Sequence, residues 1–218
     1  LRLVVFDVDG TLVDSQAHIL AAMAQAFGGL GLAAPDRAAV LEIVGLSLPQ
    51  AMARLVPALS APERDQLVAG YKDAYSGMRA QTLSPLYPGA AAMLEALACD
   101  PSLRLGIATG KSRRGLLHLM AAHGWEGRFV TMQVADDHPS KPHPSMLQAC
   151  LRETGIAPQQ AAMVGDTVYD MEMARAAGLH GVGVSWGYHH ASRLGPRVID
   201  RFEALPAALA DIWDERAA

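Results

Sequence analysis

Cysteine is scarce in this chain: Cys99 and Cys150 are the only two among 218 residues. A pair so far apart makes neither a disulfide framework nor a zinc-ligand spacing, so each reads as a small buried apolar residue. A basic excess is missing too. Lys and Arg number 18 against 22 Asp and Glu, a formal charge of −4, which argues against a dedicated nucleic-acid binder. Charged residues make up only 18% and hydrophobic ones 51%, a balance that excludes a disordered chain and can fill a substantial core. No uncharged apolar run approaches the roughly 18 residues of a membrane-spanning helix. No secretory apolar segment precedes the first strand-like block, and there are no internal repeats. The expectation is a protein of the reducing cytoplasm, with one large domain or one domain plus an insert.

What the chain does have is a series of short, nearly continuous apolar runs at 3–6, 103–108, 129–134, 162–164, 181–184 and, weakly, 198–199. Runs without polar alternation read as strands covered by helices on both faces. Helical patterns at 89–98, 113–123, 144–154, 170–177 and 205–215 lie between or after them. Such alternation predicts an α/β fold, a doubly wound and mostly parallel sheet. The stretch 15–82 breaks the alternation. It reads as four helices at 17–27, 37–44, 48–56 and 63–78, parted by Gly28-Gly29, Gly45 and the segment 57–62. An all-helical insert after the first strand sits where a ligand-covering lid would be useful, although extra packing on the core is the plainer alternative. The expected division is therefore a core of 1–14 and 83–218 with a helical cap of 15–82.

Polar residues collect where these strands end. Phe6-Asp7-Val8-Asp9-Gly10-Thr11 closes the first run. Two carboxylates two residues apart point to a common side if strand geometry persists that far. Crowded carboxylates at an apolar strand end call for a shared cation or proton, and a magnesium ion suits carboxylate oxygen. By itself Asp-x-Asp-Gly also reads as a polar turn. Thr109-Gly110 follows the second run and precedes a helix, where a hydroxyl and helix N-terminal N–H groups suit phosphate. Lys111-Ser112 is reminiscent of a nucleotide-binding phosphate loop, but that loop needs a glycine where Leu105 stands, so it is rejected. Lys141, in Ser140-Lys141-Pro142-His143-Pro144, is aimed by a rigid loop, although taken alone it reads as an ordinary solvated lysine. Gly165-Asp166-Thr167-Val168-Tyr169-Asp170 opens another helix, with Asp166 and Asp170 on one side and Asp166 equally readable as an N-cap.

In this order, and each at a strand end, the four segments resemble those of the haloacid dehalogenase superfamily over essentially the whole chain. The phosphoglycolate-phosphatase-like branch, with a helical cap, is the most similar, and Gly183-Val184-Ser185-Trp186-Gly187-Tyr188 also looks like it. The resemblance implies a Rossmann-like core and a magnesium-dependent phosphatase. Asp7 would be the nucleophile that forms an aspartyl-phosphate, and Asp9 the general acid and then base. Thr109 and the Gly110 N–H would hold phosphoryl oxygens, while Lys141 would balance charge. Asp7, the Asp9 carbonyl and Asp166 would bind Mg2+, with Asp170 supporting a metal-bound water. The chemistry is consistent: a carboxylate is repelled by an anionic phosphate unless positive charge offsets that repulsion.

Asp9 is the acid/base that dehalogenases of the superfamily lack, which favours phosphate chemistry. Gly45-Leu46-Ser47 resembles the specificity loop of capped relatives and reads equally as an interhelical turn. His18, near the cap-side His of sugar-phosphate mutases but one residue out of register, reads as a helix-surface residue. Tyr169 replaces the Asn frequent in the branch. His189-His190, His138 and His143 read as solvated loop residues, and Arg113-Arg114, Arg193, Arg197 and Arg201 as surface charges. The expected partner is a small phosphorylated metabolite, with no nucleic acid and no membrane, and the expected state a monomer or homodimer. A phosphomutase and a non-enzymatic phosphate-binding module are the alternatives.

Overall fold

The computed structural model describes residues 1–214. The apolar runs form β1 (Arg2–Phe6), β2 (Leu103–Thr109), β3 (Thr131–Val134), β4 (Ala161–Gly165), β5 (His180–Val184) and β6 (Val198–Ile199). They make one sheet in the order β3-β2-β1-β4-β5-β6, and every neighbouring pair is parallel. The fold is α/β and Rossmann-like. Strand order reverses at β1, so the crevice of such a sheet opens at the carboxyl ends of β1 and its neighbours.

Between β1 and β2 come α1 (Gln16–Gly29), α2 (Arg37–Glu42), α3 (Leu48–Leu55), α4 (Ala61–Gln81) and α5 (Ala90–Ala98). The later crossovers carry α6 (Arg113–His123), α7 (Ser145–Thr154) and α8 (Val168–Ala177), and α9 (Leu205–Asp214) follows β6. Residue 215, expected to close the last helix, and the core's end at 218 lie outside the described residues. Among the described residues, no helix is long and apolar enough to cross a membrane.

The lack of polar alternation in the strands has a direct cause. Val4 and Phe6 of β1 face Leu94 of α5, Leu116 of α6 and Ile212 of α9 in one buried cluster. Leu3 and Val5, on the opposite side of the pleat, face Met146 of α7 and Met173 of α8 in another. The insert has its own core: Ile19, Met23 and Phe27 of α1 pack with Val40, Met52 and Leu67 from α2, α3 and α4. We therefore propose that 15–82 forms a cap unit over a core of 1–14 and 83–218.

Three local expectations change. Gly28 and Gly29 belong to α1, and the chain turns only at Gly31, whose φ of 68° supplies the left-handed conformation that ends the helix. Helix α8 begins at Val168 because Thr167, not Asp166, is its cap: the Thr167 hydroxyl and the Asp170 carboxylate form a reciprocal capping box. Cys99 is exposed just after α5, whereas Cys150 is buried as expected.

Met52 is fully buried in the insert's core, so Met52→Ala should destabilise that unit by about 2–5 kcal/mol. Hydrogen exchange should speed up in α1 to α4 and stay slow in β1, β2 and β4; a uniform loss would contradict separate cores.

Candidate active site

Backbone geometry after β1 decides where its carboxylates go. The strand ends at Phe6, and the Val8 carbonyl then accepts from the N–H groups of Leu12 and Val13 at 2.9 and 3.0 Å. Gly10 takes a φ of 83°, and a Cβ there would lie 2.2 Å from Asp166 Oδ2, so only glycine fits. The turn separates Asp7 from Asp9. They do not share a side as strand geometry would require: Asp7 points into the protein toward Lys141, and Asp9 toward Lys111.

Asp7, Asp166 and Asp170 converge from β1, the end of β4 and the first turn of α8. Each offers an oxygen within 4.8 Å of the others, and all three are buried. Lys141 Nζ lies 3.0 Å from Asp7 Oδ1 and donates to Asp170 Oδ1 at 2.6 Å. Burial alone would lower the lysine pKa, but Asp170 and Asp7 more than offset it and hold the ammonium protonated. One ammonium does not satisfy three carboxylates. Burial, only partly countered by Lys141 and reinforced by Asp170 and Asp9, pushes Asp7 up to about 7. Burial and then Asp170 and Asp7 raise Asp166 well above the carboxylate range, although Thr11 Oγ1 and Tyr188 N donate to it, each at 2.9 Å.

Closely set carboxylate oxygens that repel one another and are short of positive charge fit a hard divalent cation. Asp7, Asp166 and Asp170 are the residues that could hold it. The Asp9 carboxylate lies outside this group, so Asp9 could contribute only its carbonyl.

A cavity of about 640 Å³ opens over Asp7 and Asp9. Thr109, Gly110 and Lys111 line it from the end of β2, and Gly45 and Leu46 line it from the insert. The Gly45-Leu46-Ser47 segment rests on the core. A Cβ on Gly110 would meet the Gly45 and Leu46 carbonyl oxygens at 2.9 Å, and Ser47 N donates to Ser140 Oγ at 2.8 Å, one residue before Lys141. Of the residues expected at the site, Asp7, Asp9, Gly45, Leu46, Thr109 and Gly110 line the cavity, Lys141, Asp166 and Asp170 adjoin Asp7, and Ser47 does not line it.

Sequence reasoning missed Lys111. Its ammonium donates to both Asp9 oxygens at 2.6 and 2.7 Å and to Tyr75 Oη at 3.2 Å, and Ser15 Oγ also donates to Asp9. Burial would lower its pKa, but the charges and hydrogen bonds of Asp9 and Tyr75 together outweigh it and raise it. Its position directly after Thr109-Gly110 was the available signal.

Other side chains are better anchored than the sequence suggested. His189 is buried: its Nδ1 accepts from Val168 N at 3.1 Å, which leaves Nε2 to donate to the Glu42 carbonyl at 3.2 Å. Arg193 grips the Glu42 carboxylate at 2.7 and 2.8 Å, and Tyr169 Oη donates to the same Glu42 carbonyl at 2.9 Å. Three core residues thereby hold one residue of the insert. His18 is half-buried, with Nδ1 2.6 Å from Ser84 Oγ, and is neither a free surface residue nor part of the cavity lining. His138 bonds to Gln133 and Ser145, Arg113 pairs with Asp137 and Arg201 with Asp200, while His190 is exposed.

The family model for haloacid dehalogenase-like hydrolases matches residues 4–184. Among curated proteins, the chain is 34% identical over 216 residues to the Dickeya dadantii protein named Probable phosphatase IndB, covering 94% of this chain and 92% of that one. It is 32% identical over 219 residues to the phosphoglycolate phosphatase of Mesorhizobium japonicum, covering 96% and 95%. Among solved structures, a haloacid dehalogenase-like hydrolase of Streptococcus pneumoniae superposes with a TM-score of 0.82 at 25% identity, covering 95% of this chain and 97% of that one.

If the three carboxylates hold a divalent cation, a saturating cation should stabilise the protein by about 2.7 kcal/mol at a hundred times its Kd. In a chain of this size that is a rise of roughly 5–10 °C in Tm. Asp166→Asn should abolish the rise while melting no lower than wild type in chelator, because one repelling charge is gone. An equal rise in the variant would contradict the assignment.

Proposed function

This chain belongs to the haloacid dehalogenase-like hydrolase family and is a phosphatase, and we propose that it hydrolyses a small phosphate monoester, phosphoglycolate-like or a sugar or nucleoside phosphate, with Mg2+ as cofactor and Asp7 as nucleophile. One observation carries this reading. The Asp7 carboxylate lies on the floor of a cavity, 3.0 Å from the Lys141 ammonium, with Asp9 two residues away on separate partners.

Asp7, Asp166 and Asp170 would hold the cation, which when bound supplies positive charge against the phosphoryl group. Thr109 and the Gly110 N–H would orient that group, with Lys141 neutralising charge between it and Asp7. An Asp7 oxygen then attacks phosphorus as the bond to the leaving oxygen breaks. Asp9 gives that oxygen its proton, and the product is an aspartyl-phosphate and a free alcohol. In the second step Asp9 takes a proton from water as the water oxygen attacks phosphorus. The bond to Asp7 breaks, leaving inorganic phosphate and the carboxylate restored.

Lys111 and Ser15, which both donate to Asp9, would orient its carboxyl group for these proton transfers. The proton for the first step would arrive with the substrate monoanion. The proposed setting is the cytoplasm, without nucleic-acid or membrane partners. No residue of the cavity favours the mutase alternative, since His18 is bonded to Ser84.

Phosphate release from p-nitrophenyl phosphate in Mg2+ provides the test. Asp7→Asn should lose activity by at least about a thousandfold with its fold intact. Asp9→Asn should lose about a hundred- to ten-thousandfold on an alkyl phosphate and less on p-nitrophenyl phosphate, whose leaving group needs no proton. Substantial turnover by Asp7→Asn would remove the nucleophile from this scheme.

A further inference from the structure

The cavity above Asp7 carries more positive charge than one phosphoryl group requires. Its walls contain Lys72, Arg79, Lys111 and Arg114, against Asp73 and the two carboxylates Asp7 and Asp9. Lys111 is already paired with Asp9. Arg79 and Arg114 are different: among the described residues neither has an ion-pair or hydrogen-bond partner. The neighbouring Arg113, by contrast, pairs with Asp137, and its N–H donates to Asp136 at 2.8 Å.

The two free guanidinium groups come from separate elements. Arg79 stands in the last turn of α4, on the insert, and Arg114 in the first turn of α6, on the core. Arg79 reaches from the insert to the first turn of α6, where a Cβ on Gly115, the residue after Arg114, would lie 3.5 Å from Arg79 Nη1, and both arginines line the same cavity. The same cavity is also lined by apolar side chains, among them Ile19, Met23, Val44 and Leu48.

Guanidinium groups without a partner, in a cavity also lined by apolar side chains, attract a planar or tetrahedral anion that both forks can grip. A neutral leaving group would offer neither of them an ion-pair partner. We infer that the substrate's leaving group bears a second anionic group, a carboxylate or a second phosphate, held between Arg79 and Arg114, with Lys111 between it and the scissile phosphate. This rests on the phosphatase reading above and specifies its substrate class. A substrate so held touches both units at once, so its second anion also ties the insert to the core.

The test compares kcat/KM for three alkyl phosphates in Mg2+: 2-phosphoglycolate with a carboxylate, propane-1,3-diol bisphosphate with a second phosphate, and 2-hydroxyethyl phosphate with a neutral end. Wild type should prefer at least one of the anionic substrates over the neutral one by about tenfold or more. Whichever is preferred identifies the anion. Arg79→Gln and Arg114→Gln should each lower that preference about five- to tenfold, mainly through KM, and the double variant should abolish it. A ratio near one in wild type, or a preference that survives in the double variant, overturns the inference while leaving the phosphatase reading intact. Absence of phosphate release from all three and from p-nitrophenyl phosphate would overturn both.

Discussion

Asp7, Asp166 and Asp170 are buried together against a single ammonium, that of Lys141. Removing charge from water is costly unless each charge is paired, and here the carboxylates outnumber the lysine. Much of the surrounding chain is arranged to accommodate this imbalance. The parallel register of β1 on β4 brings Phe6 opposite Val164, so Asp7 and Asp166 emerge beside each other. Residues that would intrude are absent: a Cβ on Gly165 would lie 2.5 Å from Asp170 Cβ, and one on Gly187 would lie 2.1 Å from Asp166 Cβ. Donors from Thr11, Thr167 and the Tyr188 backbone take up both oxygens of Asp166 and the second oxygen of Asp170. A set of oxygens still short of positive charge would be balanced by a divalent cation, whose charge could in turn face an anionic substrate.

The same economy of side chains lets the insert close over the cavity. Gly110 gives up its Cβ to the Gly45 and Leu46 carbonyls, and Ser47 bonds to Ser140 beside the lysine loop. On the far side, Tyr169, His189 and Arg193 converge on Glu42. Tyr169 and Asp170 are adjacent in the first turn of α8, so one turn of helix serves both the carboxylate group and the docking of the insert. Between these contacts the cavity is lined by charged residues of the core and, on the insert, by apolar side chains together with Lys72, Asp73 and Arg79.

The fold was readable because its signals are local. Leu3 to Phe6 lack polar alternation since Leu3 and Val5 face one buried layer and Val4 and Phe6 the other. The chemistry-bearing residues were readable for a related reason: Asp7, Thr109, Lys141 and Asp166 each stand at or just after a strand end, or in a loop entering a helix, in a short motif. Direction was not readable. Whether Asp7 and Asp9 share a side depends on how the chain turns at Gly10 after β1 ends at Phe6, and the residue types do not reveal the path of that turn. Pairings across long separations left no local trace either. Lys111 meets Asp9 across 102 residues, and Arg193 meets Glu42 across 151. Each residue alone has the composition of an ordinary surface charge, and only the folded chain supplies its partner.

The central claim is that a buried carboxylate, held beside an ammonium at the head of β1, becomes covalently phosphorylated during turnover. Rapid acid quenching during hydrolysis, followed by peptide mass spectrometry, tests it directly. A phosphoryl adduct on the peptide that contains Asp7, discharged by hydroxylamine as an acyl phosphate is, is the expected result. Steady turnover with no adduct on that peptide, or a stable adduct on a hydroxyl side chain instead, would contradict it.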